Sequence, residues 1–124
     1  MATMIGTYDY YLFTKDDAFL SGIWAKYEAA LSFIRNKIDS TGMLDVTGDN
    51  DWGRLQQGGH NTEANMLIYQ VLITASSLAT WVNATDLASG LLSTAATLKA
   101  AINSNLYDVS AGYVLSSTFM KTKY

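Results

Sequence analysis

The chain has 124 residues, a formal charge of −3, one histidine, no cysteine and no proline. That length fits one ordinary domain or a piece of a larger one, and the mild acidity argues against a nucleic-acid partner, whose binding relies on basic patches. The missing cysteines exclude disulfides, a thiolate nucleophile and any cysteine-held metal, and a lone histidine leaves a zinc site short of ligands. No cofactor or metal is expected.

The N-terminal run Met1-Ala2-Thr3-Met4-Ile5-Gly6-Thr7-Tyr8 has no basic segment followed by an apolar one, so no signal peptide is read there. No stretch has the length and apolarity of a membrane span, and no membrane partner is expected. Residues 4–14 carry Tyr8, Tyr10, Tyr11, Leu12 and Phe13 and read as the last turns of a helix. Thr14 or Asp16 can then cap a second helix by accepting its unpaired N–H groups. Leu20, Ile23, Trp24, Tyr27, Leu31, Ile34 and Ile38 recur at spacings of three and four, one apolar stripe of a helix. Lys26, Glu28, Arg35, Asn36 and Lys37 fall mainly off that stripe, and Gly42 marks the exit after Asp39-Ser40-Thr41.

The third helix is the strongest pattern. Ala64, Leu67, Ile68, Val71, Leu72, Ala75, Leu78, Ala79 and Val82 follow the helical template, and Asn61 or Thr62 can cap it. Its other face holds Tyr69, Gln70, Thr74, Ser76, Ser77, Thr80 and Trp81, and between Glu63 and Lys99 the only charged residue is Asp86. A helix that is apolar or neutral all round is buried between neighbours. Thr85 or Asp86 is the expected cap of a fourth helix bearing Leu87, Leu91, Leu92, Ala95, Leu98, Ile102 and Leu106. So short a connection predicts an antiparallel pair. From Tyr107 a turn over 108–113 leads to a short extended piece ending at Ser117, and the tail 118–124 fits no element. The expectation is an all-α chain of two long antiparallel helical hairpins, with a polar loop projecting at one end.

That loop, Asp49 to Glu63, gathers Asp49, Asp51, Glu63, His60, Arg54, Trp52, several amides and Gly53, Gly58 and Gly59. A flat apolar ring beside carboxylates, amides and a guanidinium suits a carbohydrate, the ring covering a C–H face and the polar groups meeting hydroxyls. A plain polar connector between helices is the alternative. A calcium loop fails, because Gln56 stands where the bidentate acidic ligand belongs and the sixth position has no glycine. The glycines lack the Lys-Ser/Thr of a phosphate loop, and no nucleophile-elbow pattern appears. Trp24, Trp81 and the tyrosines read as core aromatics. Asn83-Ala84-Thr85 is a formal N-glycosylation sequon in the turn between the last two helices, which by itself says little about secretion. Asp49, Asp51 and Glu63 are candidate carboxylates for glycoside hydrolysis, which needs a carboxylic acid and a carboxylate across the scissile bond.

The segments Lys37-Ile38-Asp39-Ser40-Thr41-Gly42-Met43-Leu44, Asp51-Trp52-Gly53-Arg54 and Gly58-Gly59-His60-Asn61-Thr62-Glu63-Ala64-Asn65 together resemble fungal α-L-rhamnosidase-like glycoside hydrolases. The resemblance continues through Leu78-Ala79-Thr80-Trp81, Leu98-Lys99-Ala100-Ala101-Ile102-Asn103 and the stretch from Tyr107-Asp108 to Gly112-Tyr113. It implies a six-hairpin glycosidase whose catalytic domain is an (α/α)6 toroid, of which residues 1–117 would form a part. It also implies Asp51 and Trp52 as sugar contacts, with Arg54 and His60 beside them, and secretion for full-length relatives. In that family the general-acid segment lies upstream of the matching region and the general base downstream, so no catalytic residue carries over. The expectation is a fragment of a glycoside hydrolase acting on terminal α-L-rhamnosyl or related glycosides, with little or no activity alone and with apolar helix faces that self-associate. A non-catalytic sugar-binding module and a helical interaction or assembly element are the alternatives.

Overall fold

The computed structural model describes residues 1–48, 50, 55, 57–110 and 112–115, with Tyr113 described by its backbone alone. Four helices carry most of them: α1 (Ala2–Thr14), α2 (Asp17–Arg35), α3 (Thr62–Trp81) and α4 (Thr85–Asn105). A two-residue strand β1 (Tyr107–Asp108) pairs antiparallel with β2 (Tyr113–Val114), Tyr107 opposite Val114. The chain is therefore mostly helical, as its patterning predicts. The predicted tail and the end of the predicted extended piece lie outside the described residues.

The aromatic block near the N-terminus forms the last turns of α1, as predicted. Met4 and Tyr11, seven residues apart and so on one face, are both buried. Tyr8 and Tyr11 pack on Trp81 at the end of α3, with ring centroids 5.7 and 4.9 Å apart. Trp81 nevertheless keeps 37 % of its surface exposed, so it rims the core instead of filling it. Lys15 takes the left-handed conformation (φ 55°), its N–H donating to the Tyr11 carbonyl, and the chain reverses. Asp16 is the cap of α2, its carboxylate accepting from the Phe19 N–H at 2.9 Å. The helix ends at Arg35, and Ile38, read as the end of its stripe, instead forms an isolated bridge with Leu44.

The central element is α3. Ile68, Val71, Leu72, Ala75, Leu78 and Ala79 are fully buried, and its neutral face is covered in part: Thr74 and Ser76 are 3 % and 6 % exposed, whereas Gln70, Thr80 and Trp81 stay exposed. The Thr74 hydroxyl is satisfied within the helix by donating to the Gln70 carbonyl at 2.9 Å, and the buried Tyr27 of α2 lies against it. The only charged residue of this twenty-residue helix, Glu63, sits in its first turn; α1 and α4 cover its middle, and the other residues it leaves exposed near its ends, Met66, Leu67, Gln70, Thr80 and Trp81, are all uncharged. Leu67 is the exception to the predicted stripe. It is 43 % exposed, because it faces the loop side of the helix.

After Asn83 (φ 62°), α4 returns along α3, burying Leu91, Ala95, Leu98 and Ile102. At its far end the Leu106 carbonyl accepts from the Leu115 N–H at 2.8 Å, and the Leu115 carbonyl accepts from the Thr62 hydroxyl. The small β-ribbon is thus pinned to the first residue of α3. The predicted cap of α4 is corrected. Ala84 occupies the cap position without a side-chain bond, and Thr85 and Asp86 lie inside the first turn, where the carboxylate suits the positive end of the helix dipole. Among the described residues no helix is long and apolar enough to cross a membrane.

Gly42 is required twice over. Its φ is +80°, and a Cβ there would sit 3.2 Å from the Thr97 methyl on α4. Gly42→Ala is expected to lower stability by roughly 1–2 kcal/mol from the left-handed backbone alone, with the crowding against Thr97 adding to it. The shift of the urea midpoint at unchanged slope is the measurement.

Candidate functional site

Between α2 and α3 the chain is folded back on itself at the end of the bundle where α3 begins. Ile38 pairs with Leu44, and Val46 with Gly59, the second bridge made by a reciprocal pair of hydrogen bonds at 2.9 and 2.8 Å. Gly59 has φ 69°, a conformation that favours glycine. Met43 and Leu44 are driven into the core at 1 % and 4 % exposure. What fixes them is Asn65, a polar residue with no exposed surface. Its Oδ1 accepts from the Leu44 N–H at 2.7 Å, while its Nδ2 donates to the Leu44 and Asn61 carbonyls at 3.1 and 2.8 Å. A buried side chain so fully bonded rigidifies the segment it holds. Asn61 is the N-cap of α3, accepting from the Ala64 N–H at 2.9 Å, and its Nδ2 donates to Gln57 Oε1 at 3.0 Å.

A second fastening lies outside the first. His60 Nε2 donates to Asp39 Oδ2 at 2.8 Å, and the Thr41 hydroxyl and N–H both reach Asp39 Oδ1, at 2.5 and 2.8 Å. Hydrogen bonds from Thr41 first, then from His60, hold the Asp39 carboxyl down at about 2, against 3.8 for an unperturbed aspartate. A carboxyl whose folded pKa is depressed contributes stability that is fully present above its unfolded value and is lost as pH falls toward its folded value. Stability from this pair should therefore decline between about pH 4 and pH 2, and Asp39→Asn should flatten that part of the profile. Asp39 is 37 % exposed, so solvent screens the effect and it is small. Urea midpoints of the two proteins at pH 5 and pH 3 check it.

Beside this fastening, the loop and the first turns of α3 enclose a groove of about 220 Å³. Its lining is two-sided. Asn50, Gln57, Asn61 and Glu63 supply amides and a carboxylate, while Val46, Ala64 and Leu67 supply apolar surface. Drug-sized ligand sites run to about 300–1,000 Å³, so this groove suits one small ring. A larger groove of about 630 Å³ lies between α1 and α2, but it is mainly apolar, lined by Met4, Phe19, Ile23, Phe33 and Ile34, with Lys26 the one charged side chain among the described residues that line it.

Of the predicted contacts, Asp51, Trp52 and Arg54 lie outside the described residues, as does Asp49. His60 is engaged with Asp39 and Thr41 and does not line the groove. Glu63 does line it, from the first turn of α3. Asn65 was not predicted, although it carries a signal: it falls three and seven residues before Ile68 and Leu72, a polar residue on the core stripe of an apolar helix. Among the described residues no three acidic, histidine or cysteine side chains come together to hold a metal. No protein-family model matches the chain, and no curated protein matches it.

Proposed function

We propose that this chain is part of the catalytic domain of an α-L-rhamnosidase-like glycoside hydrolase, its helices paired as hairpins of a partial (α/α)6 toroid. In this reading it supplies a sugar-binding loop and has little or no turnover alone. The observation that supports the reading best is the two-sided groove beneath a loop fastened by Asn65 and by the Asp39–His60 pair. A 6-deoxy sugar such as rhamnose presents hydroxyls and a methyl group. The amides of Gln57 and Asn61 each carry a second N–H beyond the one they already use, and Val46, Ala64 and Leu67 meet the methyl and ring C–H surface. Asp51 and Trp52 stand in sequence between the groove-lining Asn50 and Gln57 and are proposed as further sugar contacts, with Arg54 beside them. His60 serves by holding the loop.

Titration of the full chain with L-rhamnose, followed by tryptophan fluorescence, tests this together with incubation on aryl α-L-rhamnosides. The reading predicts saturable binding without release of the aryl group. No response to the sugar would sink it, and efficient turnover would contradict the proposal that the catalytic carboxylates lie elsewhere.

A second reading, a helical assembly element, is supported by a different observation. Phe33, Leu92, Met66 and Leu67 are 66, 50, 46 and 43 % exposed, and the α1–α2 groove is apolar. Large apolar patches on a soluble chain mark surfaces that associate. The expected result is a concentration-dependent sedimentation coefficient at micromolar protein. A clean monomer across a hundredfold concentration range would remove the self-association claim.

A further inference from the structure

The turn between α3 and α4 carries a feature the sugar-binding reading does not use. Asn83-Ala84-Thr85 is the only Asn-X-Ser/Thr sequence in the chain, and Asn83 and Thr85 are both exposed. Asn83 sits at φ 62°, its N–H donating to the Thr80 carbonyl at 3.1 Å, so its backbone is fixed in a tight reversal. Asparagine is among the few residues that adopt this conformation readily. Neither the Asn83 amide side chain nor the Thr85 hydroxyl has a hydrogen-bond partner among the described residues, and α4 starts without a side-chain cap. Both groups of the sequon are therefore held at the surface with nothing competing for them. That contrasts with Asn65, whose amide is consumed by the fold.

We propose that Asn83 is an acceptor for an N-linked glycan. The donor is an oligosaccharide carried on a polyprenyl pyrophosphate, delivered by a membrane-bound transferase of the secretory pathway. Asn83 Nδ2 forms a bond to the anomeric carbon, that carbon's bond to the pyrophosphate oxygen breaks, the lipid pyrophosphate leaves, and the amide proton passes to a base of the transferase. Thr85 provides the hydroxyl by which the transferase recognises the acceptor. A bulky, solvated glycan is tolerated only where nothing packs, and this turn meets that condition. It also lies at the opposite end of α3 from the groove, about 20 Å along the helix from Leu67 at 1.5 Å per residue, so the modification leaves the groove open. The inference does not depend on what the groove binds.

The test directs the full chain into the secretory pathway of a eukaryotic host and digests the product with an N-glycan-specific endoglycosidase. Asn83→Gly is the principal variant, because glycine keeps the positive φ without strain while removing the amide. Thr85→Ala removes the hydroxyl and leaves Asn83 untouched, and Thr85→Ser restores it. Expected are one discrete endoglycosidase-sensitive mass shift in the native chain and in Thr85→Ser, its loss in Asn83→Gly and Thr85→Ala, and a glycopeptide containing Asn83 in the mass spectrum of the native protein. An unshifted native chain overturns the proposal, as does a shift that persists in Asn83→Gly.

Discussion

Asn65→Leu should be among the most damaging single substitutions in the chain, lowering stability by about 2–6 kcal/mol. The change removes the partners of the Leu44 N–H and carbonyl, both inside a residue only 4 % exposed, and each buried group left unbonded costs about 1–3 kcal/mol. The Asn61 carbonyl suffers less, because it also accepts from the Asn65 backbone N–H at 3.1 Å, which any residue retains. Against a typical domain stability of about 5–15 kcal/mol, a loss at the upper end unfolds the chain. At the lower end the helices survive and the loop comes away from α3. Hydrogen exchange distinguishes the two, since a released loop exchanges rapidly at Leu44, Val46 and Gly59 while α3 and α4 stay protected. Asn65→Asp separates shape from hydrogen bonding. The carboxylate still accepts from Leu44 but can donate to neither carbonyl, and it sits as a buried anion against two carbonyl oxygens. Burial raises such a carboxyl's pKa, so this variant should gain stability as pH falls below neutrality, opposite in sign to the trend expected from Asp39. A variant indistinguishable from the native chain at pH 7 would show that Asn65 does not hold the loop.

Leu72→Ala should cost about 2–5 kcal/mol, the range for truncating a buried leucine that leaves a cavity. Leu72 has no exposed surface and lies mid-way along α3, the helix most enclosed by its neighbours, so there is little freedom for the site to collapse around the missing atoms. Leu92→Ala on α4 is the control. Leu92 is 50 % exposed, and surface substitutions away from special features usually stay within about 0.5 kcal/mol. Thermal or urea unfolding of the pair measures the difference. Equal losses would mean that Leu92 is covered, as it would be if copies of the chain associate through that face.

These sites show what can and cannot be read from one chain of residues. The long helices were legible because their apolar residues recur over many turns, and Asp16 and Asn61 were legible as caps because capping is a contact over three residues. The cap of α4 misled because Thr85 and Asp86 are good cap types, whereas the position was decided by the Asn83 reversal that puts Ala84 there. Leu67 fits the helical template but faces the loop, since periodicity marks a face without saying what stands opposite. The contacts that make the candidate site come from farther apart: Asn65 with Leu44, His60 with Asp39, Thr62 with Leu115. No local preference specifies such pairings, which arise only once α2, α3 and α4 have brought their ends together. The composition of the loop pointed to carbohydrate chemistry, and the groove walls that Val46 and Leu67 provide were not distinguishable in it from ordinary core.

The proposed function places a small sugar between the fastened loop and the first turns of α3. Amide chemical shifts of the isotope-labelled full chain, followed as methyl α-L-rhamnoside is added, test it most directly. Saturable shifts concentrated at Val46, Gly48, Gln57, Asn61, Ala64 and Leu67 are expected, with residues of the α1–α2 groove unchanged. No saturable shift at any of those six positions, or shifts confined to Phe19, Ile23 and Phe33, would contradict it.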